Sequence, residues 1–204
     1  MTSTESRRAR QRRELVAEIK SIARRQLEAG GRAGVSWRAI AREVGLNPAS
    51  LYTYFPSLDD LFTALLLDSY GDLAAATEHA ATRSDAASPT ARTIDIALAY
   101  RAWARAHPAQ YNLLFTDQIP GYAAPPGGPT VAAQTAVFEP MLAEFRRLHG
   151  GDPSEAFSVA VFATLHGLVS LEINHHLDWI DGDHESLLRE RFERLLAEGV
   201  STAG

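Results

Sequence analysis

The stretch from Gly45 to Phe55, GLNPASLYTYF, carries the signals of a tight turn followed by a very short helix. Gly45 suits a left-handed turn, Asn47 can cap a helix, and Pro48 suits the first helical turn. Only about seven residues remain before Pro56 disfavours continuation, and a helix of that length does not persist alone in water. We therefore expect neighbouring helices to hold this segment, while its small and polar side chains stay exposed.

A second short helix is predicted from Ser36, with Ile40 and Val44 on its buried side. Two short helices joined by a glycine turn, packed on a longer first helix, form a helix-turn-helix, whose second helix fits the major groove of B-DNA. Tyrosine hydroxyls can reach phosphates, and small side chains can approach base edges. The candidate DNA contacts here are Ser36, Arg38, Asn47, Ala49, Ser50, Tyr52, Thr53 and Tyr54.

Arg38 is the best candidate for reading guanine, because a bidentate arginine is the usual reader of that base. It lies in the first turn of the helix that precedes the glycine turn, away from the apolar stripe. A phosphate contact or a solvated side chain remains the alternative. The sequence therefore leaves open whether Arg38 provides specificity or only affinity.

The charge of the chain reverses sign near residue 58. Residues 1–58 contain 11 Lys and Arg against 5 Asp and Glu, a net +6, whereas residues 59–204 contain 9 against 20, a net −11. This division favours a polyanionic partner for the N-terminal part, with chance clustering as the alternative. The run SRRARQRR at 6–13, with Arg7 and Arg8, is either an arm that follows the duplex or a solubilising tail.

Helix-period patterns cover nearly the whole chain, which predicts an all-α protein of about nine helices. The predicted domains are a helix-turn-helix domain over 1–57 and a C-terminal domain over 58–204. Residues 116–130 are rich in proline and glycine and form a candidate lid or crossover. The predicted helices span 8–29, 36–44, 48–55, 58–83, 89–107, 109–116, 131–149, 154–178 and 184–198.

Several classes of protein are disfavoured by composition. The chain has no cysteine, which excludes disulfides, thiolate zinc sites and cysteine nucleophiles. No apolar run approaches the roughly 18 residues of a membrane span, and the arginine-rich N-terminus is not followed by the apolar region of a signal peptide. We expect a cytoplasmic protein that is not an enzyme and has no cofactor, since phosphate-binding loops and nucleophile elbows are missing from the sequence.

The segment VSWRAIAREVGLNPASLYTYFPSLDDL, residues 35–61, resembles the DNA-binding segment of the TetR (tetracycline-repressor-like) family. The resemblance includes the Ile-Ala pair at 40 and 41, Gly45, and the Leu-Tyr-x-Tyr-Phe run at 51–55. It implies a homodimer that binds a palindromic operator and a C-terminal domain whose small-molecule effector releases the DNA. The chain departs from the family at Leu58, where a phosphate-binding lysine is usual.

Two C-terminal stretches, AHPAQYNLLF at 106–115 and FATLHGLVSLE at 162–172, resemble a TetR ligand-domain subgroup with a Trp, His, Gly signature. Phe162 replaces the tryptophan, while His166 and Gly167 match. Aromatics mixed with a few polar groups suit a ligand pocket, although an ordinary core uses the same residues. The candidate pocket residues are Tyr100, Arg101, Trp103, Tyr111, Asn112, Phe115 and His166.

The last two long helices are expected to form the dimer interface, as a four-helix bundle with those of a second chain. The alternative is that their apolar stripes complete the core of one chain. The interface candidates are Leu165, Leu168, Leu171, Leu188, Phe192 and Leu195.

A competing hypothesis comes from EINHHLDW at 172–179. On a helix, Glu172 would lie three residues from His175 and four from His176, a geometry that occurs in metal-binding bundles. This pattern would suit a helical metal-dependent enzyme or carrier, or simply a polar helix end. The main prediction remains a ligand-responsive regulator, more specifically a repressor, in which the effector changes the separation of the two DNA-binding heads through the helix over 58–83.

Overall fold

The computed structural model describes residues 6–86, 88–115 and 119–201, and within these ranges every regular element is a helix. The all-α prediction is confirmed. The helices are α1 (Arg7–Gly34), α2 (Trp37–Glu43), α3 (Pro48–Leu51), α4 (Leu58–Arg83), α5 (Pro89–Ala106), α6 (Pro108–Phe115), α7 (Pro129–His149), α8 (Glu155–Ile173) and α9 (His184–Ser201).

Two glycines near the helix-turn-helix adopt positive φ angles just after the predicted helix ends at residues 29 and 44. Gly30 and Gly31 have non-helical backbone angles, with a φ of 58° at Gly31, so the long first part of α1 ends near residue 29 as predicted, and one separate helical turn then extends to Gly34. Gly45 has a φ of 71° and makes the turn between α2 and α3. Residues with a Cβ rarely adopt these angles, so glycine fixes where the first helices end.

Short polar side chains begin most of the later helices, and three of them lie directly before the predicted helix starts at 58, 89 and 184. Ser57 Oγ accepts the Asp60 amide at 3.1 Å, and Ser88 Oγ accepts the Ala91 amide at 3.2 Å. Before α9, Asp183 Oδ1 accepts the Glu185 amide at 3.0 Å. Each cap satisfies a backbone N–H that the helix itself leaves without a partner.

The predicted extension of α8 to residue 178 is wrong. The helix ends at Ile173, and His175 takes a left-handed backbone conformation with a φ of 62°. The chain then turns, and Leu177 is buried although the residues around it are exposed. Because Leu177 is apolar, the helical pattern of apolar residues continues through this segment. The sequence pattern therefore did not indicate the turn.

Residue contacts divide the chain into two compact units, Met1–Asp68 with Asp117–Pro126, and Ser69–Thr116 with Gly127–Gly204. The division falls inside α4, while the domain boundary after residue 57 stays a prediction. The first unit buries apolar residues of α1 to α4, including Ile19, Ile22, Ala23, Ile40, Ala41, Leu51, Phe55, Leu61, Phe62 and Leu65.

The loop predicted as a lid or crossover belongs in part to the first unit. Residues 116–118 lie outside the described residues, but Ile119 is buried and Tyr122 contacts α4. The Tyr122 hydroxyl lies 2.9 Å from Thr63 Oγ1, and its ring lies 6.2 Å from that of Phe62. These contacts favour the crossover interpretation of the described part of the loop.

In the second unit α5 packs against α7, α8 and α9. The Thr77 hydroxyl also donates to the Val137 carbonyl at 3.0 Å, which joins the second half of α4 to α7. The core contains Leu73, Ile94, Ile96, Ala97, Tyr100, Tyr111, Val137, Phe145, Val161, Leu165, Leu188, Phe192 and Leu196.

Candidate nucleic-acid interface and ligand-binding unit

Apolar anchors on one side and exposed polar residues on the other define the segment from α2 to Phe55. Ile40 and Leu51 are fully buried and Phe55 is 7% exposed, whereas Tyr52 is 53% exposed. This is the orientation that the sequence pattern predicted. Of the other candidate DNA contacts in this segment, Ser36, Arg38, Asn47, Ala49 and Thr53 are exposed, and Ser50 and Tyr54 are partly buried.

Local hydrogen bonds fix the short helix α3 and the turn that follows it. Asn47 Oδ1 accepts the Ala49 amide at 2.9 Å, which confirms the predicted cap. The Thr53 hydroxyl donates to the Ser50 carbonyl at 2.7 Å. Asn47 and Thr53 therefore use polar atoms to shape the backbone, and less of their hydrogen-bonding capacity is free for a ligand.

The long helix α1 supports this segment through contacts that the sequence did not reveal. Arg12 donates to the Thr53 carbonyl at 3.1 Å, and its guanidinium carbon lies 4.8 Å from the centre of the Tyr54 ring. The arginine run at 6–13 was visible in the sequence. The angle at which α1 crosses α3 decides which of these arginines packs on the turn after α3. The spacing of residues in the sequence does not specify that angle.

Glu43 joins α2 to α1 in the same way. It accepts hydrogen bonds from Arg25 at 2.8 Å and from Gln26 at 3.3 Å, and Gln26 Oε1 accepts the Ser36 amide at 3.1 Å. Ser36 itself makes no side-chain capping bond to α2. Its position at the start of α2 is thus held through its backbone.

Arg7 and Arg8 are exposed and lie in the first turns of α1. Ser6 caps this helix, with its Oγ accepting the Ala9 amide at 3.2 Å. The described part of the predicted arm is therefore helical. Its arginines project from a continuous helix instead of from an extended chain.

Two arginines of α2 are exposed and have no hydrogen-bond or ion-pair partner among the residues that the structure describes. These are Arg38 and Arg42. By contrast, Arg25 and Arg32 are paired with Glu43 and Asp59, each at 2.8 Å. The guanidinium groups of α2 thus stay available for phosphate oxygens or base edges.

In the second unit, Tyr100, Tyr111, Phe115 and His166 form one aromatic cluster. The Tyr111 hydroxyl lies 2.7 Å from His166 Nδ1, and the two rings stack with centres 5.7 Å apart. Tyr100 OH donates to Tyr111 OH at 3.4 Å. Tyr100 and Tyr111 are at most 1% exposed, so they act as core residues in this structure.

Burial sets the protonation of this cluster. It raises the pKa of Tyr111 to about 12 and lowers the pKa of His166 below its usual value. A neutral His166 can accept the Tyr111 proton at Nδ1, and Tyr111 can in turn accept from Tyr100. The hydroxyl chain is therefore satisfied internally at neutral pH.

The remaining candidate pocket residues do not join this cluster. Arg101 donates two hydrogen bonds of 2.7 Å to Glu172 and one of 3.2 Å to Glu185. Asn112 exchanges hydrogen bonds with Asn174, and Trp103 stacks on His107 with ring centres 5.0 Å apart. These side chains bond to or stack on residues of neighbouring helices and connecting segments. The sequence alone could not specify these partners.

The core alternative accounts for three of the predicted interface residues. Leu165, Leu188 and Phe192 are at most 1% exposed within a single chain. Leu168 and Leu195 are partly buried, and Leu171 is 42% exposed. The most regular apolar stripes of α8 and α9 thus face inward, which leaves a different face of α8 exposed.

The geometry assumed for a metal site is absent, because α8 ends before His175. Both carboxylate oxygens of Glu172 are bonded to Arg101, and His175 Nδ1 lies 3.1 Å from Asp178. Within the described ranges, no group of three or more histidine, cysteine, aspartate and glutamate side chains could hold a metal ion. The helix-based reasoning for this hypothesis is therefore wrong.

A groove of about 350 Å³ opens between α7 and α8. None of the seven predicted pocket residues lines it. One sequence signal could have indicated this groove: α7 and α8 both contain more apolar residues than a single buried stripe requires. The lining residues are Val131, Gln134, Thr135, Phe138, Met141, Leu142, Phe145, Glu155, Ser158, Val159, Val161, Phe162 and Leu165.

Comparison with known proteins places both parts of the chain. Residues 19–65 match the model of bacterial regulatory proteins of the tetR family, and residues 93–198 match the tetracyclin repressor-like C-terminal domain. The chain is 44% identical over 115 residues to the HTH-type transcriptional regulators Rv1816 of Mycobacterium tuberculosis and Mb1846 of Mycobacterium bovis. That match covers 56% of this chain and about half, 49%, of the length of these relatives.

Solved structures share the fold over most of the chain. SCO4313, named as a candidate regulatory protein, aligns with a TM-score of 0.77 at 26% identity, over 94% of this chain and 100% of its own. The TetR family regulator PfmR of Thermus thermophilus aligns with a TM-score of 0.58 at 20% identity, over 90% and 97% of the two chains. These structures share the fold, and the two family models, of which the one over residues 93–198 alone covers more than half of the chain, show that the chain belongs to the TetR family of transcriptional regulators.

Proposed function

We propose that this chain is a cytoplasmic repressor that binds a palindromic operator as a homodimer and leaves it when a small-molecule effector binds. The observation that carries the proposal is the exposed face of the α2–α3 segment. Tyr52 and Arg38 are exposed there, while Leu51 and Phe55 are buried beneath them. A short helix with small outward residues can enter the major groove and bring its backbone close to base edges.

Arg38 is the proposed base-reading residue, and Tyr52 and Tyr54 are proposed to contact phosphates. The exposed Arg38 side chain has no partner among the described residues, so DNA binding breaks no existing ion pair. Arg7 and Arg8 at the start of α1 would add phosphate contacts. Ser36, Asn47, Ala49, Ser50 and Thr53 complete the proposed surface.

Homodimerisation is supported by the exposed face of α8. This helix has a mean hydropathy of 1.7 over 18 residues, yet only 17% of that stretch is buried within one chain. Ala156, Ala160, Ala163 and Gly167 recur at intervals of three or four residues and so share one face. A Cβ added at Gly167 would meet nothing within 4 Å, which leaves room for close approach of a second helix.

By length and composition alone, α8 would also suffice to cross a membrane, which corrects the expectation that no apolar run of the chain approaches that length. We favour a second copy of the chain as its cover. A two-fold dimer would bury these faces together and would present two α3 segments to half-sites about 34 Å apart or a multiple of it. An effector would act by changing the separation of the two heads through α4, which runs from Leu58 to Arg83.

Selection of bound duplexes from a random DNA pool tests the regulator hypothesis. The wild-type protein should enrich a two-fold symmetric site. Arg38→Ala should relax selection at one base pair per half-site, a loss of about 1–3 kcal/mol of discrimination, while Arg83→Ala serves as an exposed arginine control. Enrichment of no symmetric site would refute the proposal, and an unchanged site with Arg38→Ala would reduce this residue to a phosphate contact.

Sedimentation analysis tests the proposed dimer face separately. Ala163→Arg places a charge on the exposed α8 face and should shift the protein from dimer to monomer. Ala136→Arg introduces the same charge at an exposed position of α7 and should leave the dimer intact. If both variants remain dimeric, the interface lies elsewhere.

A further inference from the structure

We propose that the groove between α7 and α8 is the effector site and that it takes an apolar molecule that is neutral or positively charged. The inference rests on the proposed function, because it identifies where the effector of that regulator binds. It replaces the pocket expected around Tyr100 and Tyr111, whose side chains are buried against one another. Its support comes from the shape, the lining and the surroundings of the groove.

The shape is that of a small-molecule site. The groove has a volume of about 350 Å³, near the lower end of the range of known ligand pockets. The deepest lining residues of the groove, Met141, Phe145 and Leu165, are apolar and at most 4% exposed. The neighbouring Val137 belongs to the core and does not line the groove. A slender chain or a small ring system would remove this surface from water.

The polar groups of the groove restrict the charge of the occupant. The hydroxyls of Thr135 and Ser158 donate to the carbonyls of Val131 and Ser154, at 3.0 and 3.1 Å. Glu155 is the one ionisable residue among the lining residues that the structure describes. A carboxylate or phosphate placed here would be repelled by Glu155, whereas an ammonium group would be attracted.

The N-terminus of α8 does not reverse this preference. Its positive end is adjacent to Glu155, whose carboxylate already supplies a negative charge in the first turn. Ser154 Oγ also accepts the Phe157 amide at 3.2 Å, which removes one of the free donors that an anion would use. A neutral or cationic head group is therefore the better match.

The groove is connected to the buried aromatic cluster through its own wall. Phe162 lines the groove and stacks on His166, with ring centres 5.6 Å apart and an angle of 19° between the planes. His166 in turn bonds Tyr111 at 2.7 Å. Phe138 also lines the groove, and the centre of its ring lies 6.1 Å from that of Tyr100. A ligand that displaces either phenylalanine would thus disturb the packing of α5 and α6.

Fluorescence of N-phenylnaphthylamine, a neutral dye that brightens in apolar surroundings, provides the binding assay. Decylamine, decanol and decanoate, which share one chain length, then compete for the dye. We expect decylamine and decanol to displace it at concentrations about tenfold lower than decanoate. Equal or better displacement by decanoate would overturn the proposed ligand class.

Filling the groove tests its location. Thr135→Trp places an indole in the groove from an exposed position of α7, and Ala136→Trp places the same side chain at an exposed position that does not line it. We expect Thr135→Trp to weaken dye binding about tenfold and Ala136→Trp to leave it within about twofold. Val131→Trp, at a residue that is 52% exposed, is a second blocking variant if the first folds poorly. Equal dye affinity in the blocking and control variants would overturn the site.

Neutralising the carboxylate tests the charge argument. Glu155→Gln should reduce the advantage of decylamine over decanoate about threefold to fivefold, the effect expected of one exposed charge pair. Glu78→Gln removes an exposed carboxylate elsewhere in the same unit and should leave the advantage unchanged. If both variants behave alike, Glu155 does not select the ligand.

DNA selection without any added ligand separates this inference from the function on which it rests. A protein that enriches a symmetric site but binds no dye contradicts only the groove proposal. A protein that binds dye in the groove but enriches no symmetric site contradicts only the regulator. If Thr135→Trp instead converts a dimer to a monomer, a second chain fills the groove and the ligand proposal fails.

Discussion

The α2–α3 segment and the aromatic cluster differ in what their tyrosines do. Tyr52 is 53% exposed beside Trp37, with ring centres 5.7 Å apart, whereas Tyr100 is 1% exposed and its hydroxyl is bonded to Tyr111. Tyr52 was predicted as a DNA contact and Tyr100 as a pocket residue, although both are aromatic residues that carry a hydroxyl. The comparison teaches that residue type alone does not distinguish a binding surface from a core.

The α2–α3 segment and the groove between α7 and α8 also differ in how a binding partner would constrain the sequence. B-DNA has one regular groove geometry, so a short motif with fixed spacing can specify a surface that fits it. A ligand pocket has no such fixed template, and its walls come from separate helices. The consequence is that exposed DNA-binding candidates could be recognised locally, while the groove between α7 and α8 became visible only in three dimensions.

The largest predicted effect contrasts Tyr100→Ala with Tyr52→Ala. Loss of the buried ring should lower the free energy of unfolding by about 4 kcal/mol, because it leaves a cavity in the core. Loss of the exposed ring should cost less than about 1 kcal/mol. Urea unfolding followed by circular dichroism measures both. Similar small losses would mean that Tyr100 lines an open pocket after all.

A second contrast concerns the buried ion pair of the C-terminal unit. Glu172→Ala should destabilise the fold by about 3 kcal/mol, because Arg101, whose side chain is 8% exposed, loses two hydrogen bonds. Glu185→Ala, at a half-exposed carboxylate, should cost less than about 1 kcal/mol. Urea unfolding measures both, and equal costs would show that Arg101 depends on neither partner.

Two glycine substitutions should change the free energy of unfolding in opposite directions, one in the turn of the α2–α3 segment and one in helix α4. Gly45→Ala should destabilise the protein by about 1 kcal/mol, because a φ of 71° is unfavourable for alanine. Gly71→Ala lies on an exposed face of helix α4, with nothing within 4 Å of the added Cβ, and should stabilise it by about 0.5–1 kcal/mol. Thermal unfolding distinguishes them. A neutral Gly45→Ala would indicate that the turn can relax.

The smallest predicted effect is the pH dependence due to His166. Burial lowers its pKa in the folded state, so below the usual value of about 6.5 the unfolded chain binds a proton that the folded chain does not. Stability should therefore fall as the pH is lowered through this window. His166→Phe should flatten the curve there when both proteins are unfolded in urea across a pH series. Parallel curves for the two proteins would contradict the assignment.

The sequence predicted helix starts more reliably than helix ends. The predicted starts at 58, 89 and 184 agree with the structure, where Ser57, Ser88 and Asp183 cap these helices through local hydrogen bonds between residues two or three positions apart. The end of α8 was missed, because His175 adopts a left-handed conformation that its residue type does not require. Leu177 is buried by tertiary packing, which the residues next to it in the sequence do not indicate.

By itself, the sequence determined the all-helical fold, the helix-turn-helix and most of the residues that its surface exposes, since helical periodicity, caps and turn glycines act within a few residues. Tertiary structure alone decided that Arg12 supports Thr53, that Arg101 pairs with Glu172, and that Leu165 belongs to the core. These contacts join residues far apart in the chain. The way helices cross and pack decides which of these residues meet. The sequence of one helix does not specify which face of a neighbouring helix it will contact.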